Sequence, residues 1–222
     1  MNKIKYIAPV LIAIACFGLQ QAKAVTVYSI SVGNSAISGY PPPYGSASVT
    51  LNGAGTIATI TFTAANTAAF QYLFGNGSSV AVNVNGAFTL GPITGTQLPG
   101  FGPTTFSQGP AGNEDGFGSF NLTINSSQGY TDASNSITFS ITQTSGTPWL
   151  ADGSNVLIAN AQGATVAAHI FVTSFPANVT NSALATGFAA NTGAVVPDGG
   201  TTVMLLGAAL GALGMARRFI MS

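Results

Sequence analysis

Ser136-Ile137-Thr138-Phe139-Ser140-Ile141-Thr142 alternates hydroxyl and apolar side chains without interruption. Successive side chains of a strand point to opposite faces, so this stretch offers Ile137, Phe139 and Ile141 to a core and its hydroxyls to water. Upstream, Phe120, Leu122 and Ile124 keep the same period, and the polar run from Ser126 to Asn135 between them reads as the loop of a hairpin. Further out, Tyr28, Ile30 and Val32 alternate with Ser29 and Ser31, and Ala58, Ile60 and Phe62 alternate with threonines. Val80, Val82 and Val84 share one face, with Asn83 and Asn85 turned away, while Val156–Ala159 and Val166–Val172 add two more candidate strands.

About eight or nine strands with no amphipathic helix predict an all-β fold, a single antiparallel β-sandwich of jelly-roll-like or immunoglobulin-like type. Two breaks interrupt the pattern. Pro41-Pro42-Pro43 reads as a stiff, extended connector. Gly91 to Gly116 holds seven glycines and four prolines, too broken for a strand, and reads as a long loop.

Composition narrows the function. Of 222 residues 46% are hydrophobic and only 5% charged, against roughly a quarter charged in an average soluble domain. The formal net charge is zero, which excludes a basic nucleic-acid binder and an acidic tail protein. All five basic side chains lie near the ends, at Lys3, Lys5, Lys23, Arg217 and Arg218. Between Val25 and Ala194 the formal charges are Glu114, Asp115, Asp132 and Asp152, and His169 is the sole imidazole. That region therefore carries a net charge of about −4 at neutral pH.

The ends are addresses. Lys3 and Lys5 precede an apolar run from Tyr6 to Leu19, and Ala22-Lys23-Ala24 places small residues where signal peptidase accepts them. The run is shorter than the ~20 residues that span a bilayer, so residues 1–24 read as a signal peptide cut after Ala24. Cys16 leaves with it, and the mature chain, residues 25–194 with the C-terminal signal, has no cysteine.

At the other end Val196-Pro197-Asp198-Gly199-Gly200 precedes an apolar stretch from Val203 to Ala216 and then Arg217-Arg218. As a helix that stretch rises about 21 Å, a marginal span. Thr201 and Thr202 extend the expected transmembrane helix to about 201–216, and the arginines stay cytoplasmic. This is the anatomy of a transient inner-membrane anchor.

A Val-Pro-acidic motif, a short Leu/Ala/Gly-rich helix and terminal arginines resemble the PEP-CTERM sorting signal, in its Val-Pro-Asp variant. The resemblance covers residues 195–222. It implies export, processing by signal peptidase and then by exosortase, a membrane cysteine peptidase or transpeptidase that removes the helix, and a final place at the cell surface or outside the cell. Asp198-Gly199-Gly200 stands where the commoner form has Glu-Pro, which leaves the scissile bond open. Asp115-Gly116-Phe117-Gly118-Ser119-Phe120, Trp149-Leu150-Ala151 and Ala167-Ala168-His169-Ile170 also resemble a pattern among exported PEP-CTERM proteins that carry no assigned activity.

Chemistry is harder to assemble. A triad needs a base beside Ser or Thr, and His169 alone is available; on a strand it shares a face with Ala167 and Phe171 and reads as structural. A His-rich zinc site is excluded by the single histidine and the absence of mature cysteine. Glu114 and Asp115 are adjacent in a Gly-rich segment, unlike the two separated carboxyls of a glycosidase. Without Lys or Arg, anionic ligands and nucleic acid are disfavoured. Asn113, Glu114, Asp115 and Asp152 are weak candidates for calcium, and Trp149 and Tyr130 could stack on sugars. The sequence thus predicts no catalytic residues, no cofactor beyond calcium at those positions, and a non-enzymatic surface or extracellular-matrix protein associated with exopolysaccharide or biofilm. A carbohydrate- or calcium-binding lectin-like module is the alternative, and a hydrolase is third. Edge strands without lysine also suggest self-association.

Overall fold

The structure is a computed structural model that describes residues 24–126 and 129–191 and the backbone of Val196–Pro197. Residues 1–23 of the expected signal peptide, the expected helix at 201–216 and Arg217-Arg218 lie outside the described residues. Residues Ala24–Gly199 form one compact unit.

Among the described residues fifteen strands follow in order, about twice the number that the alternation alone marks out. They are β1 (Val25–Ile30), β2 (Val32–Gly33), β3 (Gly45–Leu51), β4 (Ile57–Ala64), β5 (Phe70–Phe74), β6 (Gly77–Val82), β7 (Ala87–Gln97) and β8 (Phe106–Gly109). Then come β9 (Gly112–Glu114), β10 (Gly118–Phe120), β11 (Leu122–Ser126), β12 (Ser134–Ser145), β13 (Val166–Ser174), β14 (Ala185–Ala190) and β15 (Val196–Pro197). A single 3-10 turn at Tyr130–Asp132 is the one helical element among the described residues. There, no helix is long and apolar enough to cross a membrane.

Thirteen strands make one antiparallel sheet, and β9 and β10 make a separate hairpin. The large sheet has two halves. One runs β15-β1-β3-β4-β12-β7, and the other holds β2, β14, β13, β5, β6, β11 and β8. They meet where Ser134 of β12 pairs with Phe74 of β5.

Both halves contribute to the main core, which includes Tyr28, Val49, Ile60, Phe62 and Phe139 from the first and Tyr72, Phe74, Val80, Ile124 and Ile170 from the second. Phe62 packs edge-on against Phe74 across the halves with ring centroids 6.1 Å apart, and stacks on Phe139 at 6.4 Å.

The quoted stretch lies at the heart of β12. Ile137, Phe139 and Ile141 stand opposite Phe62, Ile60 and Ala58 of β4, so both strands turn their apolar sets to the same face. The expected hairpin with Phe120–Ile124 does not form. β11 pairs with β6 and β8, whereas β12 pairs with β4, β7 and β5. Alternation marks a strand and its buried face but carries no information about its neighbour, and the polar run crosses between the halves instead of turning back.

Gly91 to Gly116 is also not one loop, because β7, β8 and β9 are built from it. β7 is paired on one side only, with β12, and an edge strand tolerates a proline. Pro92 and Gly91 sit at a bulge, where Phe139 faces Ile93 and Ile141 faces Leu90. Val156–Ala159 is not a strand. Val156 and Ile158 instead bond the main chain of Asn85 and Asn83, and Leu157 makes an isolated bridge to Val84.

Val32 departs from the face of Tyr28 and Ile30 and is 37% exposed. The reason is a change of partner at Ser31, whose N–H donates to Ala190, so that β2 pairs with β14 while β1 pairs with β3. The proline connector leads into β3 with a cis Pro42–Pro43 bond, and the Pro41 carbonyl accepts from the Tyr72 hydroxyl at 2.5 Å.

Candidate functional site

β5 and β6 run in line along the same edge of β13. Phe74 faces Ile170 and Val80 faces Ala168, so five residues, Gly75 to Ser79, stand opposite His169 alone. The chain accommodates this excess by looping outward, with Asn76 at φ 61° and Gly77 at φ 55°, a region in which asparagine and glycine are tolerated.

His169 fills the gap. Its Nδ1 lies 2.7 Å from the Gly75 carbonyl oxygen and 3.1 Å from that of Asn76. Carbonyls only accept, so Nδ1 carries a hydrogen, and Nε2 lies 2.8 Å from the Thr186 hydroxyl. The ring stacks on Phe188 with centroids 4.6 Å apart. As expected from period two, it shares its face with Ala167 and Phe171, while Ile170 points into the main core. Every ring nitrogen is used, and the imidazole pins the bulge to β13 and β14.

The outward loop meets the β9–β10 hairpin. Glu114 is not in an open loop. It ends β9, pairs with Gly118 and is 1% exposed, whereas Asn113 faces outward. Ser78 donates its hydroxyl to Glu114 Oε1, and Oε2 is buried without a partner. Burial pushes this carboxyl above the ordinary carboxylate range, and the Ser78 hydrogen bond only partly opposes the shift. Asp115 turns the other way, to accept from Asn34 Nδ2 at 3.0 Å. Asn113, Glu114 and Asp115 therefore do not converge.

Asp152 lies elsewhere, in the turn after Trp149. Its Oδ1 accepts from the Ser154 N–H at 3.0 Å and the Ser154 hydroxyl at 2.8 Å, and these bonds hold it below the ordinary range. The Asp152 carbonyl accepts from Thr26 in β1. Nearby, Tyr28 is pushed up to about 12 by burial and then by the Asp152 charge. No group of three or more His, Cys, Asp or Glu among the described residues could hold a metal ion.

Both candidate aromatics are packed. Trp149 belongs to the main core and donates Nε1–H to the Asn85 carbonyl at 3.0 Å. Tyr130 sets its ring between Phe101 and Phe171 and donates its hydroxyl to the Asn178 carbonyl at 3.1 Å.

Sequence reasoning passed over the bulge. Gly75-Asn76-Gly77-Ser78-Ser79, small and polar between two apolar runs, was the available signal. An Asn-Gly pair more often marks a hairpin turn, and here it marks a detour within one strand line.

The described residues of the two expected addresses fall at β1. Ala24 is the residue before it, and Val196 and Pro197 pair with its outer edge, Val196 opposite Val27 and Pro197 opposite Thr26. Ala22, Asp198, Gly199, Gly200, Arg217 and Arg218 lie outside the described residues. No curated protein and no solved structure matches the chain. A family model does match its C-terminal end, at residues 195–219, and is described as the VPDSG-CTERM motif. Those residues are a PEP-CTERM-like variant of the exosortase sorting signal, and the chain that carries them is an exported protein.

Proposed function

We propose that this chain is a non-enzymatic structural or adhesive component of the cell surface or extracellular matrix, built on a β-sandwich and released from a transient membrane anchor by an exosortase. The VPDSG-CTERM motif carries the reading, since it marks an exosortase substrate. The domain is in keeping with it. Its two half-sheets share the main apolar core, no Lys or Arg occurs from Val25 to Ala194, and the buried acid Glu114 is tied to Ser78.

The reading is tested on the protein recovered from its native host. Mass spectrometry of the exported form is expected to find Val25 at the N-terminus and to lack the segment through Arg217-Arg218. A tail intact to Ser222, with the protein retained in the membrane, refutes the sorting step. The matrix role is tested separately by sedimenting the mature chain with native exopolysaccharide. A chain that stays monomeric at high concentration and leaves the polymer unbound is not a matrix component.

A further inference from the structure

β15 is the last strand of its half-sheet and, among the described residues, pairs with β1 alone. It is built from the first two residues of the sorting motif. Pro197 has no N–H to give to a ladder, and an edge is where a sheet accepts such a residue. β1 has the matching character: Val25–Ile30 contains neither a charged residue nor a proline, the features by which strand edges are usually kept from taking a partner.

The length of chain also fits. Ala190 ends β14 beside Ser31, and Val27 lies four residues back along β1, about 13 Å at roughly 3.3 Å per residue. From Asn191 to Val196 the chain can reach about 18 Å at most. A tether of that reach is long enough for the gap and short enough to present the motif to β1 at high effective concentration.

We propose that the outer edge of β1 is a binding site for the chain's own sorting motif, holding Val196–Pro197 as a strand in the folded precursor so that the motif is readable only after it leaves the sheet. This rests on the exosortase reading above. The physical reason is competition for one set of groups: main-chain N–H and C=O atoms engaged in a sheet edge are not available to a peptidase cleft that must grip the same extended segment. The strand that receives the C-terminal signal is also the first element after the signal-peptide cut, so both proteolytic addresses meet on β1.

Cysteine trapping tests this in the full chain. Once residues 1–24 are removed the protein has no cysteine, and directly opposed residues of an antiparallel pair lie about 4.5–5.5 Å apart at Cα, within disulfide range. The Val27→Cys/Val196→Cys double variant is expected to cross-link on export and to keep its C-terminal helix. The reduced double variant and each single variant are expected to lose the helix as the parent does. Ser29→Cys/Val196→Cys, two residues out of register, is expected to cross-link far less. No cross-link at 27–196, equal cross-linking at 29–196, or a cross-linked precursor that is still processed each overturns the proposal.

Should Val196→Cys alone block processing, hydrogen exchange decides. Deleting residues 192–194 keeps the motif at 195–219 intact but leaves a tether too short to reach Val27, and is expected to deprotect only those amides of Val25–Val27 that face β15. Unchanged protection there overturns the proposal. A parent chain whose tail is never removed refutes the exosortase reading instead, and leaves the trapping result to stand or fall alone.

Discussion

Glu114→Gln should abolish a decline of stability with rising pH that the parent protein shows above about pH 4.3, the ordinary glutamate value. The carboxyl is 1% exposed, its Oε2 is unpartnered, and its one side-chain partner is the neutral Ser78. No Lys or Arg from Val25 to Ala194 is available to neutralise it.

Burial raises its folded value above the unfolded one, so the folded state binds the extra proton. Its contribution is complete below the unfolded value, falls as pH rises through the interval, and levels off above the folded value. Within the interval one proton is worth about 1.4 kcal/mol per pH unit. At about 2–4 °C per kcal/mol for a domain of this size, melting should drop by roughly 3–5 °C per pH unit.

Gln keeps the shape and the acceptor for Ser78 without the titratable proton, so its curve should lack the decline that Glu114 causes. Ser78→Ala removes the bond that opposes the shift, and should carry the decline to higher pH. Thermal melts of the mature protein followed by Trp149 fluorescence, from about pH 4 to 9, read all three. Asp152 does not mask the effect: its folded value is lowered, so its contribution is lost as pH falls below about 3.9, outside the interval. Parallel melting curves for the parent and Glu114→Gln across that range refute the reasoning.

Three further substitutions probe the fold. His169→Ala leaves the Gly75 and Asn76 carbonyls without their donor and should cost about 1–3 kcal/mol; urea unfolding with an unchanged m-value measures it, and a negligible loss would mean that the bulge holds itself. Asn191→Ala removes the acceptor shared by the Thr165 and Val166 N–H groups, each at 2.9 Å. It should also cost about 1–3 kcal/mol, with faster hydrogen exchange at those two amides. Phe139→Ala empties the centre of the core against Phe62 and should cost about 3–5 kcal/mol by the same denaturation assay, unless the halves close over the cavity.

The strands that alternate cleanly were legible because burial on one face imposes period two. Ala58, Ile60 and Phe62, like Ile137, Phe139 and Ile141, are all buried in the core. Their pairing is not legible, since an apolar face fits any neighbour with a matching face: the alternation suits a hairpin of Phe120–Ile124 with β12, yet β11 pairs with β6 and β8. β7 was hidden for another reason. Gly91 and Pro92 disqualify a central strand, but a bulged edge strand tolerates both. At the candidate site, the face of His169 followed from period two, while its main-chain partners depended on the Gly75–Ser79 detour. Glu114 reads from the sequence as part of a Gly-rich loop, and only the β9–β10 pairing turns it inward.

The crossing at Ser31 bears on the order in which the molecule can be completed. β2 finds its partner in β14, with Gly33 opposite Ala189, about 156 residues later in the chain. A polypeptide that crosses a membrane N-terminus first delivers that closing strand near the end, after β1, β3 and β4 have been waiting outside. Pairings so distant in sequence are slow to form, and half-built sheets with uncharged edges are the species most prone to join their neighbours. The hazard is therefore greatest before the last third of the chain has emerged, and a helper protein that shields nascent β-strands would act in that interval.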